Sequence, residues 1–210
     1  MVGHRDGLTA VVAGTAFGAR AHARALKAAG ITVHALVGRD PDRTRHKAER
    51  AGIPHGCTDL AAALELRPDI VVVATPPATH APLVRTAVAA GAHVMCEKPF
   101  TLDTDEAEAL TEQAAEAGVV GYLGHEFRFA ECAALTARLL DEGAIGIPRL
   151  ATFVAHGGLV ADPGRPMPDW WFDPERGGGW LGASGSHAVD RIRHWFGEIA
   201  SVSASLTVTG

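Results

Sequence analysis

The sequence is poor in cysteine and has no long apolar segment. Its three cysteines, Cys57, Cys96 and Cys132, stand far apart, and no Cys-x-x-Cys pair occurs. This spacing gives no indication of a disulfide framework, of zinc or of another metal site. The N-terminal residues lack the apolar core and cleavage site of a secretory signal. The longest strongly apolar run, residues 70–74, is far too short to span a bilayer. We therefore expect a cytoplasmic protein that crosses no membrane.

The chain also lacks an excess of positive charge. It has 19 Lys and Arg residues against 24 Asp and Glu residues, which gives a formal net charge of −5. A nucleic-acid partner is not expected, because binding a polyanion requires a clustered basic face. The basic residues between positions 39 and 50 lie mostly along one predicted helix, a pattern typical of a solvated helix face. The 47% of hydrophobic residues is ordinary for a globular protein with a full core.

Short apolar segments alternate with helical patterns through the first 124 residues. The predicted strands are residues 8–13, 32–37, 69–75, 93–96 and 119–123, and the predicted helices are residues 17–28, 41–51, 81–90 and 103–117. Residues 69–75 (DIVVVAT) indicate a strand that is buried on both faces. Strands and helices in repeated alternation predict right-handed crossovers and a doubly wound parallel sheet. We therefore expect an α/β domain of Rossmann type over residues 1–124.

The character of the sequence changes after Gly124. A helix is predicted at residues 132–140, a strand at Arg149 to Ala155, a helix around residues 187–196 and a last strand at Ser201 to Val208. Between them, residues 157–182 form a loop that is dense in Gly, Pro and Trp. These features predict a second, α+β domain over residues 125–210. We expect this domain to be incomplete, because so few strands and helices make a poor independent core.

Residues 14–19 (GTAFGA) follow the first predicted strand and open the first predicted helix. A dinucleotide-binding loop needs a tight turn, close backbone approach to the pyrophosphate and small residues for helix packing. Gly14 fills the first position, but Ala16 stands where glycine is usual, so either the loop tolerates one methyl group or Gly18 takes that role. From the strand–loop–helix context we predict that Gly14, Ala16, Phe17 and Gly18 bind the cofactor.

The end of the second strand bears on the choice of cofactor. It is followed by Gly38, Arg39 and Asp40. An acidic side chain at this strand end binds the ribose 2′-hydroxyl and rejects a 2′-phosphate, whereas an arginine can pair with that phosphate. Gly38 removes the acid from the expected position, which favours NADP over NAD through Arg39. Two alternatives stay open: Asp40 supplies the acid, or Arg39 is an ordinary solvated residue.

Several further motifs stand in the order found in one known family. They are residues 74–77 (ATPP) with His80, residues 91–99 (GAHVMCEKP), Arg128 with Phe129, residues 143–146 (GAIG), and residues 177–179 (GGG) before residues 185–190 (GSHAVD). With these motifs the chain resembles the glucose–fructose oxidoreductase/inositol dehydrogenase family (Gfo/Idh/MocA) along essentially its whole length. The resemblance implies a Rossmann domain and a C-terminal domain built on a large open sheet. The outer face of that sheet commonly supports oligomers, so we expect a homo-oligomer.

The resemblance implies hydride transfer between NAD or NADP and a hydroxyl or carbonyl carbon of a sugar, cyclitol or related small molecule. It also implies that Lys98 and His187 are the catalytic residues. Histidine suits oxidation and reduction alike because it titrates near the working pH, and Lys98 follows a strand at the carboxyl edge where such folds bind ligands. The remaining candidates are cofactor contacts at Thr75, Pro76, His80, Glu97 and Lys98, and substrate contacts at Arg128, Trp171 and Asp190.

The chain departs from the family pattern in two respects. Ala183 stands four residues before His187, where the resemblance implies an assisting aspartate. Either Lys98 and His187 suffice, another carboxylate such as Asp190 takes part, or ordinary dehydrogenase chemistry has been lost. Members of the family also continue well past this length, so we expect a C-terminal domain that is truncated. Two other functions therefore remain open: an NAD-using glycosidase or lyase with no net redox change, and a non-catalytic nucleotide-binding remnant.

Overall fold

Two units make up the chain in the computed structural model, which describes residues 7–158, 162, 164 and 166–207. The first unit contains Met1–Gly124 and Pro168–Ala183, and the second contains His125–Met167 and Ser184–Gly210. The boundary at Gly124 is where the sequence-based division was placed. The segment Pro168–Ala183, in contrast, groups with the first unit and not with the second.

Six parallel strands form one sheet in the first unit. They are β1 (Thr9–Ala13), β2 (Thr32–Val37), β3 (His55–Cys57), β4 (Ile70–Val73), β5 (His93–Cys96) and β6 (Gly121–Leu123). Their order across the sheet is β3-β2-β1-β4-β5-β6, and every neighbouring pair is parallel. This is the doubly wound order of dinucleotide-binding folds, so the predicted fold class is confirmed. Strand β3 was not predicted, because its three residues carry no recognisable periodicity.

Helices connect the strands of this sheet. A π-helical turn (Gly18–His22) leads into α1 (Ala23–Ala28), followed along the chain by α2 (Pro41–Arg50), α3 (Leu60–Leu64), α4 (His80–Ala89) and α5 (Thr104–Glu116). Three of them begin at an aspartate whose carboxylate accepts a main-chain N–H of the first turn, namely Asp40, Asp59 and Asp103. Such caps satisfy donors that have no partner within the helix. None of the helices in the described part of the chain is both long and apolar enough to cross a membrane.

The core lies on both faces of the sheet, because successive strand residues point in opposite directions. Val11 and Val71 belong to one buried cluster, which includes residues of α3, α4 and α5. Val12 and Val72, their neighbours in sequence, belong to the other cluster, which includes residues of α1 and α2. Burying each of these side chains contributes about 1.5–3 kcal/mol. The carboxyl edge of the sheet is therefore held by a core on each side.

Two α-helices pack against each other in the described residues of the second unit. A 3₁₀ turn (Glu126–Phe129) precedes α6 (Glu131–Asp141), and α7 (Ser186–Phe196) follows later in the chain. Trp195 of α7 donates its indole N–H to the carbonyl oxygen of Ala133 in α6, at 3.3 Å. The Phe153 ring stacks on Trp195 with 6.0 Å between centroids. Aromatic contacts of Trp195 thus join α7 to α6 and to Phe153 within this unit.

The two strands predicted for the second unit are absent from its described residues. Residues 149–155 and 201–207 have no regular secondary structure, and Val208 lies outside the described residues. These predictions were wrong because apolar alternation becomes a strand only when a partner strand can pair with it. Leu150, Val154, Val202 and Leu206 are instead exposed, and the described part of this unit is helical rather than α+β.

Candidate active site

Gly14 forms the turn at the end of β1. Its φ is +125°, and its N–H donates to the carbonyl oxygen of Val37 at 2.9 Å. A Cβ atom here would lie closer than 3.0 Å to the carbonyl group of Ala74, so no other residue type fits. A Cβ on Gly18 would lie 3.0 Å from Cγ1 of Val12. Both glycines thus allow the close backbone packing that a pyrophosphate-binding loop requires, and the exposed residues Ala16 and Phe17 lie between them.

Cationic side chains stand beside this loop. Lys47 of α2 donates from Nζ to the carbonyl oxygen of Thr15 at 2.7 Å. Burial lowers the pKa of Lys47 below its usual range, and the positive charges of Arg43, Arg20 and Arg50 lower it further. The loop therefore lies in a positive local potential, which suits the binding of phosphate groups.

The end of β2 is tightly packed at Gly38. A Cβ atom there would lie closer than 3.0 Å to both Cγ2 of Thr15 and Oγ1 of Thr44. Asp40 uses its carboxylate to cap α2, where Oδ1 accepts the N–H of Arg43 at 2.8 Å. Arg39 is exposed, and its side chain has no hydrogen bond or ion pair among the described residues. Of the two charged candidates, Asp40 is engaged in the helix cap and Arg39 is available to a ligand.

Thr75 and Pro76 follow β4, between the Gly14 turn and the end of β5 in the sheet order. Both are partly buried. The hydroxyl of Thr79 lies 2.7 Å from Thr75 Oγ1 and 2.7 Å from the carbonyl oxygen of Pro76, which closes the turn. These two candidate residues therefore have a defined position at the carboxyl edge.

Glu97 and Lys98 follow β5. The carboxylate of Glu97 is buried, with Oε1 2.7 Å from Nε2 of His22 and Oε2 accepting the N–H of Lys98 at 3.3 Å. Lys98 donates from Nζ to the carbonyl oxygen of Ala183 at 2.8 Å. The adjacent Cys96 thiol is neutral, because burial raises its pKa strongly and the nearby Glu97 charge adds to this effect. Glu97 is thus held by protein groups, and Lys98 has a fixed ammonium position.

His80 is completely buried at the start of α4. Its Nε2 lies 2.8 Å from the carbonyl oxygen of Thr75, and its Nδ1 lies 3.0 Å and 3.1 Å from those of Pro99 and Phe100. The ring has no surface left for the direct cofactor contact expected from the sequence. We therefore consider its role to be indirect.

In the second unit, His187 near the start of α7 is buried beneath aromatic rings. The Phe127 ring stacks on its imidazole at 4.1 Å between centroids, and the His125 ring meets it edge-on at 5.4 Å. The Glu126 carboxylate lies 4.0 Å from Nε2 of His187. The ring is thus fixed in orientation next to a carboxylate, an arrangement suited to proton transfer.

Two of the three predicted substrate residues pair with each other. Arg128 forms a two-pronged ion pair with Asp190, in which Nε donates to Oδ2 at 3.0 Å and Nη2 donates to Oδ1. Burial alone raises the pKa of Asp190, but the Arg128 hydrogen bond and the nearby positive charges, His125 among them, lower it below its ordinary value overall. Trp171, the third, belongs to the first unit, where its ring lies 5.9 Å from that of Trp170.

His22 and Glu126 were not identified as site residues from the sequence. His22 contacts Glu97 across 75 positions, and a single histidine in a helix carries no signal of such a distant partner. Glu126 precedes the predicted Arg128, but one carboxylate in a loop is indistinguishable from a solvated one. Within the described ranges, no group of three or more His, Cys, Asp or Glu residues is arranged to hold a metal ion.

Comparisons with known proteins place these features among oxidoreductases. The GFO/IDH/MocA family model, described as an oxidoreductase family with an NAD-binding Rossmann fold, matches residues 8–125. The GFO/IDH/MocA C-terminal domain model matches residues 134–210.

Individual relatives agree with the family models. The chain is 31% identical to levoglucosan dehydrogenase of Pseudarthrobacter phenanthrenivorans, covering 80% of this chain and 43% of the relative. It is 30% identical to D-xylose 1-dehydrogenase (NADP(+)) 2 of Haloferax volcanii, covering 94% and 60%. A solved levoglucosan dehydrogenase in complex with NADH and levoglucosan superposes with a TM-score of 0.79 at 26% identity, covering 91% of this chain and 54% of that one. The chain therefore spans about half the length of the proteins it matches.

Proposed function

Because this chain belongs to the Gfo/Idh/MocA oxidoreductase family, we propose that it acts as an NAD(P)-dependent oxidoreductase. Its substrate is a hydroxyl or carbonyl compound of the sugar or cyclitol class. The observation that carries the proposal is the common location of Gly14, Thr75 and Lys98, which follow the carboxyl ends of the neighbouring strands β1, β4 and β5. Parallel α/β sheets bind their ligands at this edge. The dehydrogenase names of the relatives favour net redox chemistry over hydrolysis or elimination.

The residues at this edge fit a dinucleotide. A bound nicotinamide dinucleotide supplies the carrier that accepts or returns the electrons of the substrate. We assign the pyrophosphate to the loop from Gly14 to Gly18, and the neighbouring cofactor surface to Thr75, Pro76 and the Glu97–Lys98 main chain. Arg39 favours NADP, because a guanidinium can pair with the 2′-phosphate and Asp40 is engaged in capping α2.

Lys98 is proposed to hydrogen-bond the reacting oxygen of the substrate. One of its N–H groups is used by the Ala183 carbonyl, and an ammonium group has further donors to offer. A donor fixed in this way stabilises the negative charge that develops on an oxygen as its proton leaves. Lys98 therefore assists both directions of the reaction.

His187 is proposed as the acid/base residue. In oxidation it takes the hydroxyl proton, and in reduction it returns that proton to the carbonyl oxygen. Phe127 and Glu126 hold its ring within the second unit. Arg128, Asp190 and Trp171 remain candidates for substrate contact, the first two as a polar pair and the third as an aromatic surface for a sugar ring.

Replacing Lys98 by alanine tests this function. The assay incubates the protein with NAD or NADP and a panel of polyols and aldoses while following the absorbance of the reduced nicotinamide. We expect Lys98→Ala to lower kcat by about 10²–10⁴-fold, with cofactor affinity within about twofold by calorimetry. Lys27→Ala is the matched control, because Lys27 also donates to main-chain carbonyls, those of Ala51 and Gly52.

Two results would contradict the proposal. A loss of cofactor affinity equal to the loss of kcat/KM would make Lys98 a binding residue only. A wild-type protein that binds neither NAD nor NADP in calorimetry would remove the proposed function as a whole.

We also propose that the chain self-associates through its second unit. Leu150, Val154, Val202 and Leu206 are each at least 74% exposed. Large apolar patches rarely remain open on a monomer, since covering them removes apolar surface from water. Light scattering on the eluting protein tests this proposal, and a monodisperse monomer at micromolar concentration would overturn it.

A further inference from the structure

Buried histidines flank the segment that carries Lys98. Glu97 through Phe100 connects β5 to the region before α5, and its polar groups have partners on both sides. His22 contacts it at Glu97, and His80 contacts it at Pro99 and Phe100. Both histidines are at least 92% buried, and the proposed chemistry uses neither of them.

The His80 ring bridges two loops of the first unit. On its Nε2 side it meets the carbonyl oxygen of Thr75, and on its Nδ1 side it meets those of Pro99 and Phe100. A carbonyl oxygen can only accept, so a ring nitrogen that bonds one must carry the proton, and a neutral imidazole carries it on one nitrogen only. In the tautomer protonated on Nδ1, the ring donates to the carbonyl oxygens of Pro99 and Phe100. The Nδ1 side is therefore the one that restrains the segment carrying Lys98.

The His22 ring holds the other end of the segment. Its Nε2 lies 2.7 Å from Oε1 of Glu97, while Oε2 of Glu97 accepts the N–H of Lys98. His22 ends the π-helical turn that begins at Gly18, and the Phe17 ring contacts it edge-on at 5.3 Å. Here the Nε2 side restrains the segment, and the restraint originates at the phosphate loop.

We propose that His22 and His80 are positioning residues for Lys98, holding its segment between the helix after the phosphate loop and the Thr75–Pro76 turn. The inference rests on the proposed function only in treating Lys98 as the group that contacts the reacting oxygen. With both histidines in place, the Lys98 ammonium group stays at its position on the Ala183 carbonyl. Loss of either restraint lets the ammonium group move, and a displacement of about 1 Å lowers turnover by about 10²-fold.

Asparagine and glutamine substitutions separate the two ring nitrogens. An asparagine amide reaches approximately the position of Nδ1, and a glutamine amide approximately that of Nε2. At position 80, His80→Asn keeps the donor facing Pro99 and Phe100, whereas His80→Gln loses it. At position 22 the order reverses, because His22→Gln keeps the donor facing Glu97 and His22→Asn loses it. His46→Gln, at an exposed position of α2, is the control.

Two readouts are measured for each variant. The first is kcat against KM, where His80→Gln and His22→Asn are expected to lower kcat by about 10–10²-fold, with cofactor affinity changed by about twofold or less. The second is the rate at which acetic anhydride modifies Lys98, quantified by mass spectrometry against the exposed Lys27. We expect faster modification of Lys98 in the same two variants and an unchanged rate in the other two and in the control.

The decisive result is an opposite ranking of the two substitutions at the two positions: Asn is better tolerated than Gln at position 80, and Gln is better tolerated than Asn at position 22. A purely space-filling role predicts the same order of Asn and Gln at both positions, and that outcome, or equal labelling in all variants, would overturn the proposal. If one substitution at position 80 prevents folding, the His22 pair decides through the labelling readout: faster modification of Lys98 in His22→Asn than in His22→Gln supports the proposal, and equal or reversed rates overturn it. Crossed labelling in a protein without turnover would support the positioning of Lys98 while contradicting the proposed oxidoreductase function, so the two failures are distinguishable.

Discussion

Substituting Gly38 tests how closely the end of β2 packs against the phosphate loop. An alanine Cβ there would lie closer than 3.0 Å to side-chain atoms of Thr15 and Thr44, a separation that folded proteins essentially never show. The φ of Gly38 is not in the left-handed region, so the backbone itself accepts alanine. The loss of stability expected from Gly38→Ala therefore arises from steric crowding alone.

The magnitude follows from two opposing effects. Overpacking a filled site costs about 1–3 kcal/mol, and replacing glycine by alanine in a compatible backbone returns about 0.4–1 kcal/mol by restricting the unfolded chain. Thr44 has little freedom to move away, because it is 1% exposed and β-branched side chains in helices have one or two preferred rotamers. We expect Gly38→Ala to lower the free energy of unfolding by about 1–2 kcal/mol.

Urea unfolding monitored by circular dichroism measures this change. Gly121→Ala in β6 is the matched control, because a Cβ at Gly121 meets no atom within 4 Å. Thr44→Ala removes Oγ1, which is buried without a hydrogen-bond partner in the described structure. In the double variant Gly38→Ala/Thr44→Ala, the missing Oγ1 relieves part of the crowding at residue 38. The loss in the free energy of unfolding should therefore be about 1 kcal/mol smaller than the sum of the losses in the two single variants. Additive effects of the two substitutions would refute the packing argument.

The same geometry governs attempts to exchange the cofactor. Gly38→Asp places a carboxylate where NAD-specific loops have one, but its Cβ meets the same two threonines. Since the Thr15 carbonyl also holds Lys47, displacement of Thr15 disturbs the phosphate loop. We expect weaker binding of both NAD and NADP in calorimetry. Tight NAD binding with unchanged stability would show that the loop adapts to the carboxylate.

Two other predictions concern charged groups. Arg39→Ala should weaken NADP binding by about tenfold or more, because a charge-assisted hydrogen bond to the 2′-phosphate is lost, and should leave NAD binding unchanged. Equal losses of affinity for NAD and NADP in calorimetry would show that Arg39 does not distinguish the two cofactors. The pKa of the Asp190 carboxyl is lower in the folded protein than in the unfolded chain, where it is about 3.9. The pair with Arg128 therefore stabilises the folded protein above the unfolded pKa, and this stabilisation is lost as the pH falls through the folded pKa. Thermal unfolding between about pH 5 and pH 2 should show a smaller decline for Asp190→Asn than for the wild type; identical declines would contradict it.

Local patterns predicted the elements whose formation depends on local burial. The run Ile70–Val73 is apolar on both faces, and it became the central strand β4. Strand β3 and helix α3 were missed because three and five residues are too few for a periodicity to appear. The strand predicted at Arg149 to Ala155 failed for another reason, since no partner strand pairs with this apolar segment in the described residues.

The site shows the same distinction between local and distant information. Gly14 was found because it directly follows a strand, and Lys98 was found from the family resemblance, with its place just after β5 in support. The bond between His22 and Glu97 joins positions 75 residues apart, and the bond between Lys98 and Ala183 joins positions 85 residues apart. Such contacts depend on the assembled fold, and no spacing in the sequence encodes them.

The contact at Ala183 bears directly on the departure from the family pattern. The resemblance implies an assisting aspartate at this position, and here the main-chain carbonyl of Ala183 accepts the Lys98 hydrogen bond at 2.8 Å. Every residue type presents that carbonyl, so orienting Lys98 in this way does not require a carboxylate at position 183. Asp190 is an unsuitable replacement, because its carboxylate is engaged by Arg128 through both oxygens. The alanine at position 183 therefore leaves Lys98 with an acceptor for its ammonium group, and our proposal that Lys98 acts on the substrate needs no carboxylate there.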